Sequence, residues 1–271
     1  IVYTAPIDYQ DESSMWWAYT YEYYTEDYEF YDNVEADFYC FFGYDFLFEE
    51  TASGKYIKLN TETIIHETGH LLGLDDYYDY EEGNGPDGGI GGGDMMDYNV
   101  GDHNAYSKMM LGWISPIVMT DTDTITLSSF ASSGDAIFIF KDYNGSFFSE
   151  YYVIDFYTPD GLNEAQKGNS GLFDAAGIRI YHVDATLNAK EDCYSIYELT
   201  KFNNTDTAHK LISLVEADGR GDILNNNPSS ASDLFKAGKT YSGSKWYSGE
   251  STGFTITVDS MSATQATITI T

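Results

Sequence analysis

His66-Glu67-Thr68-Gly69-His70-Leu71-Leu72-Gly73-Leu74-Asp75-Asp76 decides how this chain is read. Four residues advance an α-helix by about 400° and about 6 Å, so His66 and His70 share one face. Glu67 sits about 100° round from His66, close enough to touch a water held between the two imidazoles and badly placed to be a ligand itself. Ile64, Ile65, Thr68, Leu71 and Leu72 fall on the opposite side, roughly 140° to 260° from His66. Asn60 or Thr61 suits the N-cap. Gly73 suits a left-handed turn that ends the helix. Such a turn swings Asp76 back toward the histidines, where a carboxylate oxygen beside two imidazole nitrogens gives zinc three ligands and leaves a fourth position for water.

The pattern is specific. With 5 His and 17 Glu among 271 residues, chance supplies roughly 0.006 occurrences of His-Glu-x-x-His. The bland alternative is a helix whose histidines match by accident; the shared face, the glycine and the acid all argue against it.

From here the chain resembles a known group. The string from His66 to Asp76 resembles the metzincin zinc motif with Asp in place of the usual third His. HETGHLLGLDDYYD (66–79) is similar to the immune inhibitor A family of secreted bacterial metallopeptidases, and also to the small neutral protease snapalysin. GGGDMMDYN (91–99) resembles the first family's methionine turn, which implies Met96 beneath the metal. KMMLGWISPI (108–117) resembles the segment closing its catalytic domain. GIRIYHVD (177–184), LVEADGRGD (214–222) and DLFKAG (233–238) resemble its following β domain. The likeness runs from about residue 60 to the C-terminus. Residues 1–59 match only loosely, and the family usually has a longer segment before its zinc helix. The chain therefore reads either as lacking an N-terminal portion or as a short member. The resemblance implies Asp76, rather than Asp75, as the third ligand. A tyrosine two residues beyond the methionine turn is a hydrogen-bond donor to the reacting oxyanion in some metzincins, which makes Tyr98 a candidate; its competitor is plain loop packing.

Composition suits an extracellular hydrolase. At 42% hydrophobic and 17% aromatic, the chain has enough apolar surface for a packed core. No run of 18 apolar residues exists, so no membrane span is expected. A net charge of −31 disfavours nucleic acid and anionic membrane as partners. Cys40 and Cys193 could form one bridge or remain thiols; spacing alone does not choose.

Organisation changes near residue 117. Residues 1–7 read as a short strand, 37–48 as a strand region or cleft wall, 60–73 as the motif helix, and 75–103 as a Gly- and Asp-rich loop. Residues 104–111 read as a second helix. Beyond Pro116, seven short β-branched or aromatic segments follow: 124–130, 136–140, 151–156, 178–183, 211–216, 254–258 and 266–270. The expected fold class is α+β, a metzincin-like catalytic domain over 1–117 followed by an antiparallel β-sandwich over 118–271. The 25 tyrosines read mainly as surface and strand residues, with carbohydrate stacking the alternative.

Two further histidines and two acidic clusters are also candidates. His182 alternates with apolar neighbours and reads as a satisfied core histidine. His103 reads as a loop histidine, with cleft lining the alternative. Asp218, Arg220 and Asp222, and separately Asp75, Asp79, Glu81, Glu82 and Asp87, are candidates for calcium, the second cation considered beside zinc. GGIGGG (88–93) lacks the Lys-Ser/Thr of a phosphate loop.

The resulting expectation is a secreted zinc endopeptidase acting on protein or peptide substrates. Zinc is held by His66, His70 and Asp76, and Glu67 is the general base. The rival is a secreted binding or adhesion module with a structural zinc site. A further alternative is a peptidase of another clan whose third ligand is Glu81 or Glu82.

Overall fold

The computed structural model describes residues 2–3, 18–22, 38–50, 57–79, 89–166, 173–189, 199–205, 209–225 and 227–271. The chain is mixed α and β, mostly sheet with a few short helices. Among the described residues no sheet closes into a barrel. No helix among them is long and apolar enough to cross a membrane. The chain divides into two compact units, Ile1–Asp75 and Asp76–Thr271.

The first unit holds the motif helix. Its three-stranded sheet has the order β1-β3-β2, from β1 (Val2–Tyr3), β2 (Tyr19–Glu22) and β3 (Phe38–Gly43). The central β3 runs parallel to β1 and antiparallel to β2. A hairpin of β4 (Phe48–Glu50) and β5 (Ile57–Leu59) leads into α1 (Glu62–Leu71). This helix packs on β2 and β3. Thr61 stands at the N-cap position but makes no side-chain cap; Asn60 Oδ1 instead accepts the Glu62 N–H at 2.8 Å. At the other end Gly73 takes φ 95°. Its N–H reaches His70 O at 2.9 Å and the Leu74 N–H reaches Gly69 O at 3.0 Å. Those two bonds are a Schellman closure, so the turn expected at Gly73 is formed.

The second unit begins with two short helices. Asp94 caps α2 (Met95–Tyr98) by accepting the Met96 N–H at 2.9 Å, and Asn104 caps α3 (Ala105–Met110) by accepting the Ser107 N–H at 3.0 Å. Then come β6 (Ile117–Met119), β7 (Asp123–Ser128), the single turn α4 (Phe130–Ser133), β8 (Ala136–Phe140), β9 (Glu150–Tyr157) and β10 (Gly177–Asp184). β11 (Ile212–Leu214), β12 (Thr240–Tyr241), β13 (Ile256–Met261) and β14 (Gln265–Ile270) complete it. One sheet has the order β11-β10-β9-β8-β6 and the other β12-β13-β14-β7. Alternating residues of both sheets meet in one core, with Ile154, Ile180, Ile256 and Ile268 among its buried members. Each of the seven expected segments overlaps a strand, while β6 and β12 fall outside them. The pairing is not wholly antiparallel, because β6 lies parallel to β8. The chain crosses from one sheet to the other between β6 and β7, which lets β6 add beside β8 without a hairpin.

Candidate metal centre

Residues of α1 build the site. His66 and His70 are buried, their rings 4.7 Å apart and perpendicular, and their Nε2 atoms 3.1 Å apart. His70 Nδ1 lies 2.9 Å from the Leu74 carbonyl oxygen. A carbonyl only accepts, so Nδ1 carries the proton and Nε2 keeps its lone pair. The Gly73 closure thus also sets the tautomer of His70, because it brings Leu74 O back over the ring.

Two nitrogens each about 2.0–2.1 Å from a tetrahedral zinc stand roughly 3.3 Å apart. The observed 3.1 Å fits that geometry. Asp76 is buried where Asp75 is only partly so. Within this continuous eleven-residue stretch, His66, His70 and Asp76 offer donor atoms that all lie within 4.8 Å of one another. The donor set, two imidazoles and a carboxylate, suits zinc.

Glu67 is 5% exposed although it is an acid on the helix surface. Thr20, on β2, shares its hydroxyl proton between the Glu67 carbonyl at 3.0 Å and the carboxylate Oε2 at 2.8 Å. Nothing in the sequence marks Thr20. It is one of several threonines and tyrosines in an alternating stretch, and only the packing of α1 on β2 selects it.

The methionine-turn segment lies in the second unit. Met96 is fully buried on α2, and its carbonyl accepts the Tyr77 N–H at 2.8 Å. Tyr98 ends that helix, 63% exposed. Gly92, at φ 79°, leaves room for the Tyr98 ring; a Cβ there would stand 2.3 Å from it. The glycine-rich loop cradles a carboxylate of its own chain. Asp97 Oδ2 accepts the N–H groups of Ile90 at 2.9 Å and Gly92 at 2.8 Å. Burial pushes Asp97 up to about 6, against the pull of those two bonds. Burial likewise pushes Asp94 up to about 7, although Met96 N–H and Arg179 favour its charged form.

The other candidates fall elsewhere. His103 is buried with its ring edge-on to Trp113. His182 gives Nε2 to Glu150 at 2.9 Å and stacks between Tyr152 and Tyr247, as a satisfied core histidine does. Of the Asp218, Arg220 and Asp222 cluster, Asp218 joins Glu216 and Asp233 in a group of converging carboxylates, whereas Arg220 turns back to pair with Asp218 at 3.3 Å. Asp222 is not in that group. Cys40 lies half-buried on β3; Cys193, Glu81, Glu82 and Asp87 lie outside the described residues.

No protein-family model matches the chain, and no curated protein matches it at a significant level.

Proposed function

We propose that this chain is a secreted zinc-dependent endopeptidase with a metzincin-like catalytic domain and a following β-sandwich. The observation that carries the reading is the convergence of His66 Nε2 and His70 Nε2 at 3.1 Å with the buried Glu67 between them in sequence. His66, His70 and Asp76 would hold the ion. When bound, zinc supplies Lewis acidity, making water acidic near neutral pH and steadying negative charge on a carbonyl oxygen.

The chain's own residues do the rest. Glu67 takes the proton of the attacking water on its carboxylate and returns it to the leaving amine. Thr20 fixes the rotamer of that carboxylate by holding Oε2. Leu74 O keeps the proton of His70 on Nδ1, so that Nε2 always faces the ion as a lone pair. Tyr98 is assigned the donor that steadies the oxyanion. The resemblance implies that Met96 would lie beneath the ion without touching it.

A structural zinc site closes with a fourth protein ligand. Among the described residues the donor group has three members, which favours the enzyme over the binding module. A structural site also has no use for a buried glutamate beside its histidines.

The test combines metal analysis with casein hydrolysis. The purified chain should hold one zinc and cleave casein, lose both with a chelator, and recover both on adding zinc. Asp76→Asn should weaken zinc binding by more than the roughly 10–100-fold that loss of an outer-sphere partner costs, and Asp75→Asn should leave it within that range. Weakening by Asp75→Asn alone would remove Asp76 from the ligand set.

A further inference from the structure

A cleft of about 810 Å³ opens at one end of the two stacked sheets. It lies where β6, β8 and β14 finish and where β7, β9 and β13 begin. Its walls are the turns 120–122 and 141–144, the approach 252–254 and the strand end 270–271. The volume is within the range of small-molecule sites, about 300–1,000 Å³. Nothing in the peptidase chemistry uses it.

The lining pairs flat apolar rings with neutral and acidic hydrogen-bonding groups. Phe140, Tyr143, Trp246 and Phe254 supply the rings. The Tyr143 ring lies 4.7 Å from that of Phe140, tilted by 48° to it, and stays 44% exposed, so part of the ring is open to solvent. Phe254 is partly exposed, its ring braced at 5.2 Å by Tyr152 and at 6.3 Å by Trp246. The lining also holds Asp121, Asp142, Asn144, Thr120 and Thr122, and Asn144 Oδ1 accepts the Ser146 N–H at 3.0 Å while keeping a second lone pair. The cleft's one cation among the described residues is Lys141. It is already engaged, with Ser248 Oγ at 3.0 Å and Glu250 at 3.3 Å.

These features choose the ligand chemistry. Asp121 and Asp142 in a chain of net charge −31 repel phosphates, sulfates and acidic polymers. A peptide would need partners for its backbone N–H and C=O groups, and of the edge strands only the last residue of β6, Met119, reaches the cleft. A sugar ring needs neither. Its C–H face lies on an aromatic ring, and its adjacent hydroxyls donate to a carboxylate or an amide oxygen.

We propose that this cleft is a binding site for a neutral oligosaccharide, with Tyr143 and Phe254 as stacking faces and Asp121, Asp142 and Asn144 as partners of the hydroxyls. The site is independent of the zinc reading and would hold the chain on a glycan or a glycosylated substrate.

The experiment is isothermal titration of the whole chain with cellohexaose, xylohexaose, mannohexaose and chitohexaose, beside tetralysine and an oligogalacturonate. At least one neutral hexasaccharide should bind, and Tyr143→Ala should weaken it about tenfold or more. Asp142→Asn, which keeps size and removes only charge, should also weaken it while circular dichroism stays unchanged. Casein hydrolysis by both variants should equal that of the parent. The proposal is overturned if no neutral hexasaccharide binds up to about 10 mM. It is equally overturned if binding is indifferent to both substitutions, or if only tetralysine or the oligogalacturonate binds.

Discussion

Helix α1 and the strand pair β9–β10 both bury ionisable side chains, and they complete them differently. On the strands, Asp155 and Arg179 stand directly opposite each other in register. They join through Nε to Oδ1 at 2.8 Å and Nη2 to Oδ2 at 3.0 Å, with the guanidinium over the rings of Tyr157, Tyr181 and Phe130. Opposite charges close on one another, and the pair is finished within the fold. On α1, two imidazoles bring nitrogens of the same kind to 3.1 Å, beside a carboxylate held by a neutral hydroxyl. That arrangement does little for the helix by itself. With Asp76 the two imidazoles form a group that could hold a metal ion. Burial of polar groups therefore has two meanings in this chain, and partner chemistry tells them apart.

The sharpest way to break the comparison is to remove the acid of α1. Glu67→Ala should keep zinc and fold while turnover on a denatured protein substrate falls by about 10²–10⁴, the usual share of a general base. Zinc content and turnover are the measurements, and activity within tenfold of the parent would sink the mechanism.

On the strands the loss should appear in stability and not in chemistry. Arg179→Met strands Asp155 in the core and should cost about 3–5 kcal/mol, read from denaturant unfolding. The double change Arg179→Met with Asp155→Leu should recover most of it, because two apolar groups replace two buried charges. If the double variant is no better than the single one, packing and not charge holds this pair.

How far the two regions were legible follows from the same contrast. The Gly73 turn and the strand segments carry local signals, a residue type or an alternation, and these are where they were expected. Asp155 and Arg179 sit on different strands, 24 residues apart, and no local pattern pairs them. Thr20 is farther still from Glu67, 47 residues away. Even α1 holds a surprise. Its apolar stripe is less covered than its polar edge, with Leu72 51% exposed and His66 4%. Periodicity locates a face, but neighbours decide which face is covered.

A pH series sharpens the comparison further. Asp94 and Asp97 are pushed up to about 7 and about 6 from an ordinary value of 3.8. The folded chain then holds protons that the unfolded chain releases. Stability from these groups is present below about pH 4 and is lost as pH rises from about 4 toward 7. The melting temperature should fall across that window by an amount reflecting at most a few kcal/mol, and Asp94→Asn should flatten the slope. A slope unchanged by the substitution would show that the window belongs to other groups.

The smallest effect is expected at Thr20. Thr20→Val removes one hydrogen bond to a carboxylate and should lower kcat about tenfold with KM little changed. Thr20→Ser should restore it, since the hydroxyl and not the methyl does the positioning. Equal kinetics in Val and Ser variants would return Thr20 to packing.

By itself the sequence located the motif helix, its glycine turn, a second helix and seven strand segments, but not α2, β6 or β12. His66, Glu67, His70 and Gly73 fall on a helix and at its end because a 3.6-residue period and glycine's left-handed freedom act over a few residues. The same short range locates those seven strand segments. Tertiary structure alone decided that β6 runs parallel to β8, that Thr20 meets Glu67, that Arg179 meets Asp155, and that a cleft opens among five separate chain segments. Each of these joins residues far apart in the chain. Their contact depends on which surfaces the whole core brings together, and no local pattern in the sequence encodes that.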